Sequence, residues 1–194
     1  MIEFLSNIDT QLFLLLNSIN SPLWDTVMWH ISGKLTWVPL YLLIVFFIAK
    51  KYRWKTIWIL LAVALVVLAS DQLSVHLFKN VFERLRPCHN PEIRDLVHVV
   101  NRCGGKYGFV SSHAANTFGV AVFLLMLFKK SWFSLAILFW AALVSYSRIY
   151  LGVHYPADIA VGGILGAAVG FGIWELLLFV NKKFCGAILK PTKR

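Results

Sequence analysis

Five blocks of roughly 20 apolar residues restrict this chain more than any other feature of its sequence. In hydrocarbon a chain must satisfy its own backbone, and an apolar run of this length does so as a helix. The blocks run approximately over Leu23–Ala49, Trp54–Leu77, Ser112–Phe128, Trp132–Ile149 and Ala157–Val180. Ser32-Gly33-Lys34 and Pro39 interrupt the first and predict a kink there. Ahead of it, Phe4, Ile8, Leu12, Leu15, Leu16 and Ile19 recur at helical spacing, with Glu3, Asn7, Asp9 and Gln11 between them. That pattern predicts an interfacial amphipathic helix over residues 1–20, a sixth span being the alternative. The segment carries no Lys or Arg and no small-residue cleavage site, so it is expected to stay with the chain. With 59% hydrophobic residues and no linker, repeat or low-complexity tract, the expectation is an all-α polytopic membrane protein. Its five to six transmembrane or interfacial helices would form one bundle, a single domain over 1–194.

Charge orients this bundle. Lys50, Lys51, Arg53 and Lys55 fall between the first two blocks, and Lys129 and Lys130 between the third and fourth. Lys182, Lys183, Lys190, Lys193 and Arg194 follow the fifth, and no acidic residue lies in any of these segments. With five spans all three fall on one side, which the positive-inside rule makes the cytoplasm. The loop over 79–110, on the other side, nonetheless carries Lys79, Arg84, Arg86, Arg94, Arg102 and Lys106 against Glu83, Glu92 and Asp95. Cations on a translocated loop oppose the orientation signal, so a bound anion is the economical reason for them. Contact with anionic headgroups is the plainer alternative. A nucleic-acid partner is not expected.

Cys88 and Cys103 share that outer loop, whereas Cys185 lies at the other end of the bundle. In an oxidising compartment the first two can pair, free thiols being the alternative. His89 and His98 stand nearby, but no Cys-x-x-Cys spacing supports a metal site.

Three short stretches concentrate the chemistry on the outer side. In Lys79-Asn-Val-Phe-Glu-Arg-Leu-Arg86-Pro87 the seven-residue interval is about two helical turns, so Lys79 and Arg86 are expected on one face of a continuing helix. A Lys–Arg pair suits a phosphate; a Lys79–Glu83 surface pair is the plainer reading. In Ser111-Ser112-His113 either serine can cap the third block, whose N-terminus is an anion site, with His113 in its first turn. In Ser147-Arg148-Ile-Tyr-Leu-Gly152-Val-His154-Tyr-Pro156-Ala-Asp158, Pro156 opens the last helix and Asp158 falls within reach of His154. A histidine oriented by a carboxylate has its tautomer fixed and its nucleophilicity raised. Each stretch alone is compatible with ordinary structure; together they place five cations and histidines on one side of one membrane.

Lys-x6-Arg-Pro, Ser-x-His and Ser-Arg-x5-His-x3-Asp, in this order between Lys79 and Asp158, resemble the three-part signature of the type-2 phosphatidic acid phosphatase superfamily. That superfamily includes bacterial phosphatidylglycerophosphate, undecaprenyl-diphosphate and lipid A phosphatases and is related to the vanadium haloperoxidases. The resemblance implies a lipid phosphate phosphatase without metal or cofactor. His154 would be the nucleophile, Asp158 its orienting partner and His113 the acid and then the base. Lys79, Arg86, Arg148, Ser111 and Ser112 would hold the phosphoryl group. Val110-Ser111-Ser112-His113 departs from the usual Pro-Ser-Gly-His, which changes the loop's rigidity and its backbone's approach to a phosphate.

The expected partner is a lipid phosphate in the bilayer, with the site on the outer, periplasmic face of the inner membrane. Arg84, Arg94, Arg102 and Lys106 could accommodate a second phosphate and tilt the reading toward undecaprenyl diphosphate; lipid A and phosphatidylglycerophosphate are the alternatives. A non-enzymatic anion-binding membrane protein is the rival class, but its ionisable groups would sit near mid-membrane in broken helices. Asp71 and Lys34 lie inside the apolar blocks and read as a hydrogen-bonded and a snorkelling side chain. Gly162, Gly163, Gly166 and Gly170 read as a helix-packing face.

Overall fold

A computed structural model describes residues 2–183 and 189. Cys185, Lys190, Lys193 and Arg194 lie outside the described residues. The helices are α1 (Ile2–Ser18), α2 (Pro22–Ser32), α3 (Val38–Tyr52), α4 (Thr56–Leu73), the one-turn α5 (Asn80–Phe82), α6 (Ser112–Phe128), α7 (Ser131–Tyr150) and α8 (Pro156–Lys183). No strand occurs among the described residues.

The first apolar block is two helices rather than one kinked span. Ser21 caps α2 by accepting from the Trp24 amide. The 11 residues of α2 rise only about 16 Å, too short to cross a bilayer. Gly33 N and Thr36 Oγ1 both donate to the His30 carbonyl and close its last turn. The chain then makes a 3-10 turn over Leu35–Trp37 and restarts with Pro39 in the first turn of α3, where no partner exists for the amide that proline lacks. By length and composition Leu35–Phe82, Ser131–Tyr150 and Pro156–Lys183 can cross a membrane, with the 17-residue Ser112–Phe128 slightly shorter. The first of these is interrupted at Arg53, whose φ of 54° ends α3 and starts α4 beside it.

α1 is amphipathic with its faces inverted relative to a soluble helix. Phe4, Leu5, Ile8, Leu12, Leu15 and Ile19 are exposed, while Asp9, Phe13 and Asn17 are buried at intervals of four. Asn17 pins the helix down: its side-chain amide donates to the carbonyls of His98, Ile149 and Tyr150, and its oxygen accepts from His98 N. The main core joins α3, α4, α6, α7 and α8 through Ile48, Ile59, Val66, Phe123, Val144 and Trp174, among others. The closest approach is α6 against α8. There a Cβ built on Gly166 would overlap the Ala115 carbonyl, and one on Gly170 the Gly119 carbonyl. The glycine face expected from the sequence is thus a backbone-to-backbone contact. The α3–α4 and α6–α7 junctions and the end of α8 hold the lysine-rich segments at one end of the bundle. The connections 83–111 and 151–155 lie at the other end, and there the histidines gather.

Candidate active site

Pro156 opens α8 and places Asp158 in its first turn. Asp158 is fully buried. Its Oδ2 accepts from His154 Nδ1 at 3.2 Å and from Tyr155 N at 3.0 Å, and its Oδ1 accepts from Arg84 Nη1 at 3.0 Å. An ionised carboxylate only accepts, so the proton on the His154 ring resides on Nδ1, and Nε2 presents its lone pair. That lone pair faces Arg86 Nη1 at 3.5 Å. Burial pushes the His154 pKa down to about 4; Asp158 pulls it up, and Arg86 and Arg148 push it down again. The imidazole is therefore neutral at ordinary pH.

Arg86 reaches this place by a route the heptad spacing does not describe. The helix carrying Lys79 ends at Phe82, and Glu83 turns left-handed at φ 46°. The chain then runs extended beside 106–108, with Arg86 N bonded to Lys106 O at 3.1 Å, Gly108 N to Arg84 O at 2.9 Å, and Leu85 bridged to Tyr107. The expected continuous helix from Lys79 to Arg86 is thus corrected. In extended chain, residues two apart share a face, so Arg84 and Arg86 both turn toward the head of α8. Burial, partly offset by Asp158, lowers the Arg86 pKa. Lys79 ends a wide π-helical turn, Ser74–Lys79, which re-aims the side chain. Its Nζ donates to Ser112 Oγ at 2.6 Å, and that hydroxyl also meets Ser74 Oγ at 2.7 Å. Arg148, in the last turn of α7, bonds Ser32 Oγ on α2. The Nε–H groups of Arg86 and Arg148 are buried and find no acceptor among the described residues.

The two serines of the second motif diverge. Ser111 is the N-cap of α6, fully buried, accepting from Ala114 N; its own amide donates to Asp158 O at 3.0 Å. It does not line the cavity described below, and its side chain is engaged in capping α6. Ser112 stands where the family pattern has glycine, and its side chain holds the Lys79 ammonium. His113 follows in the first turn and lines the cavity. Gly108 packs against the His154–Asp158 pair: a Cβ there would come to 3.2 Å from Asp158 Oδ2 and 3.5 Å from His154 Nδ1.

Lys79, Arg86, Ser112, His113, Arg148 and His154 line one end of a cavity of about 590 Å³. The rest of its wall is apolar: Trp37, Ile44 and Ile48 of α3, Leu60, Val63 and Val67 of α4, Val120 and Leu124 of α6, and Trp140 and Val144 of α7. Lys34 and Asp71 also line it, a position that the sequence reading did not anticipate. Lys34 sits on the break after α2, and the uncharged surroundings of that break were the available signal. Cys88 and Cys103 are joined by a disulfide with their Cα atoms 6.0 Å apart, tying down the loop that carries Arg86. His89 lies beside them.

Helices long and apolar enough to cross a membrane, around a cavity with cations and histidines at one end, suit a membrane protein that handles an anion. The sequence model of the PAP2 superfamily matches residues 57–182, and the chain belongs to that superfamily. It is 46% identical to a lipid A 4'-phosphatase of Bacteroides thetaiotaomicron, over 99% of this chain and 85% of that one. To a lipid A 4'-phosphatase of Porphyromonas gingivalis it is 39% identical, over 95% and 79% of the two chains. Among solved structures it is similar to the transmembrane PAP2-type phosphatidylglycerolphosphate phosphatase of Bacillus subtilis. The TM-score is 0.64 at 27% identity, covering 92% of this chain and 87% of that one. The protein is accordingly a membrane lipid phosphatase, and the enzyme reading stands over that of a non-enzymatic anion binder.

Proposed function

We propose that this enzyme removes a phosphate monoester from lipid A or a closely similar saccharolipid, through a phosphohistidine on His154. The observation that carries the chemistry is the His154 ring, protonated on Nδ1 by its bond to Asp158, with Nε2 turned into a pocket walled by cations. Lys79, Arg86 and Arg148 receive the phosphoryl oxygens, and the unmatched Nε–H groups of the two arginines are donors waiting for such an anion. Nε2 attacks phosphorus in line as the ester P–O bond breaks, and His113 gives its proton to the departing alkoxide. His113 then takes a proton from water, which attacks the phosphohistidine; inorganic phosphate leaves and free His154 returns.

The apolar shaft among α3, α4, α6 and α7 suits an acyl chain. A lipid A substrate is supported by the two relatives rather than by the pocket alone. Undecaprenyl diphosphate loses its argument from charge: Arg84 is engaged with Asp9 and Asp158, and none of Arg84, Arg94, Arg102 and Lys106 lines the cavity. The lysine-rich end of the bundle is assigned to the cytoplasm and the site to the periplasmic face of the inner membrane, a compartment that also suits the Cys88–Cys103 disulfide. The test is phosphate release by the purified enzyme from lipid A, undecaprenyl diphosphate and phosphatidylglycerophosphate at equal mole fraction. Lipid A is expected to be turned over fastest, by His154 but not by His154→Ala, and undiminished in excess EDTA. A preference for either other lipid overturns the substrate, and activity surviving His154→Ala overturns the mechanism.

A further inference from the structure

The charge network behind His154 does not stop at Asp158. Arg84 Nη1 donates to Asp158 Oδ1 at 3.0 Å, and its Nη2 donates to Asp9 Oδ2 at 2.7 Å. The central carbon of the guanidinium lies over the Tyr155 ring, 4.0 Å from its centroid, which helps hold the fork between the two carboxylates. The other oxygen of Asp9 accepts from Ala157 N at 2.8 Å, in the first turn of α8. Asp9 is buried although it belongs to the amphipathic α1, and it lies outside the segment that the family pattern matches. From these contacts we infer that Asp9 is a positioning residue for the reaction, acting on His154 through Arg84 and Asp158.

The physical reason is charge balance. Arg84 paired with Asp158 alone would neutralise it, and a neutralised partner orients the His154 Nδ1–H weakly and offers little to an imidazole that becomes cationic on phosphorylation. Asp9 shares the guanidinium, so the group Asp9–Arg84–Asp158 keeps a net charge of about −1 beside the ring, at short range and largely out of water. α1 therefore supplies a part of the nucleophile's field as well as a lipid-facing surface. Asn17 pins α1 by four hydrogen bonds of its own, so the helix stays docked when Asp9 changes.

The inference rests on His154 being the nucleophile, and the experiment separates the two. Asp9→Asn keeps an oxygen for Ala157 N and removes the charge. It is expected to lower kcat for lipid A at least about tenfold with KM within about twofold, the mark of an effect expressed in the chemical step. Whatever kcat Arg84→Met retains, adding Asp9→Asn to it should cause no further loss, because the path from Asp9 runs through Arg84. A kcat for Asp9→Asn within twofold of the parent overturns the inference, and so does an equal loss in the Arg84→Met background, which would make Asp9 a docking residue only. If Asp9→Asn does not fold, Arg84→Lys replaces it: the charge remains but cannot fork to both carboxylates, and parental kcat overturns the inference. A parent that is active and a His154→Ala variant that is equally active would instead overturn the nucleophile assignment and this inference with it.

Discussion

In the proposed mechanism His154 attacks only while Nε2 carries no proton, and its surroundings enforce that well into acid. Because burial depresses the pKa to about 4, protonation of His154 should switch activity off as pH falls through about 4, not near the ordinary histidine value of about 6.5. The acid limb of kcat/KM, with ionisation of the substrate's own phosphate divided out, is the measurement; a limb set by an unshifted histidine would contradict this. Asp158→Asn should lower kcat by about 10²–10⁴-fold, as loss of an orienting carboxylate does elsewhere, and move that limb further to acid. Gly108→Ala should also be impaired with the protein still folded, since its methyl group would meet Asp158, His154 and the Arg86 stem. Much of this was legible from spacing: a histidine and a carboxylate four apart around Pro156 are close in almost any helix start. The contacts of Arg84 and Asp9 and the position of Lys34 were not, since they depend on extended chain, on a distant helix and on a helix break.

At the scale of elements, the sequence identified the helices better than their ends. The apolar blocks became helices, but the first broke at Gly33 into α2 and α3, and the helix bearing Lys79 stopped at Phe82. Hydropathy reports what lies in lipid and is blind to a π turn or to a three-residue pairing such as that of 84–86 with 106–108. The glycine face of α8 was read correctly, because small residues at helical spacing have few other uses in a span. Its importance can be measured. Gly166→Ala or Gly170→Ala puts a methyl group into a backbone carbonyl of α6, an overpacking cost of about 1–3 kcal/mol or more. Thermal unfolding in detergent should show a clear fall in apparent Tm for both. Gly172→Ala, where a Cβ meets nothing within 4 Å, should leave it unchanged.

For the whole molecule, lysine-rich turns at one end and the histidines at the other make orientation the decisive property. Single cysteines at Asn90 and Lys130, in a background free of native cysteines, should respectively react and fail to react with an impermeant thiol reagent on intact spheroplasts. The opposite pattern would reverse the topology and move the reaction to the cytoplasmic leaflet. The cavity has a further consequence for how such an enzyme must be assayed. Its cationic end joins directly onto a wall of hydrocarbon side chains, so a substrate is met within the two-dimensional phase and not from bulk water. Occupancy then follows the crowding of substrate among its lipid or detergent neighbours. Adding inert detergent should slow turnover at fixed total substrate, whereas diluting the whole sample with micelles of the same mixture should leave the rate per enzyme unchanged.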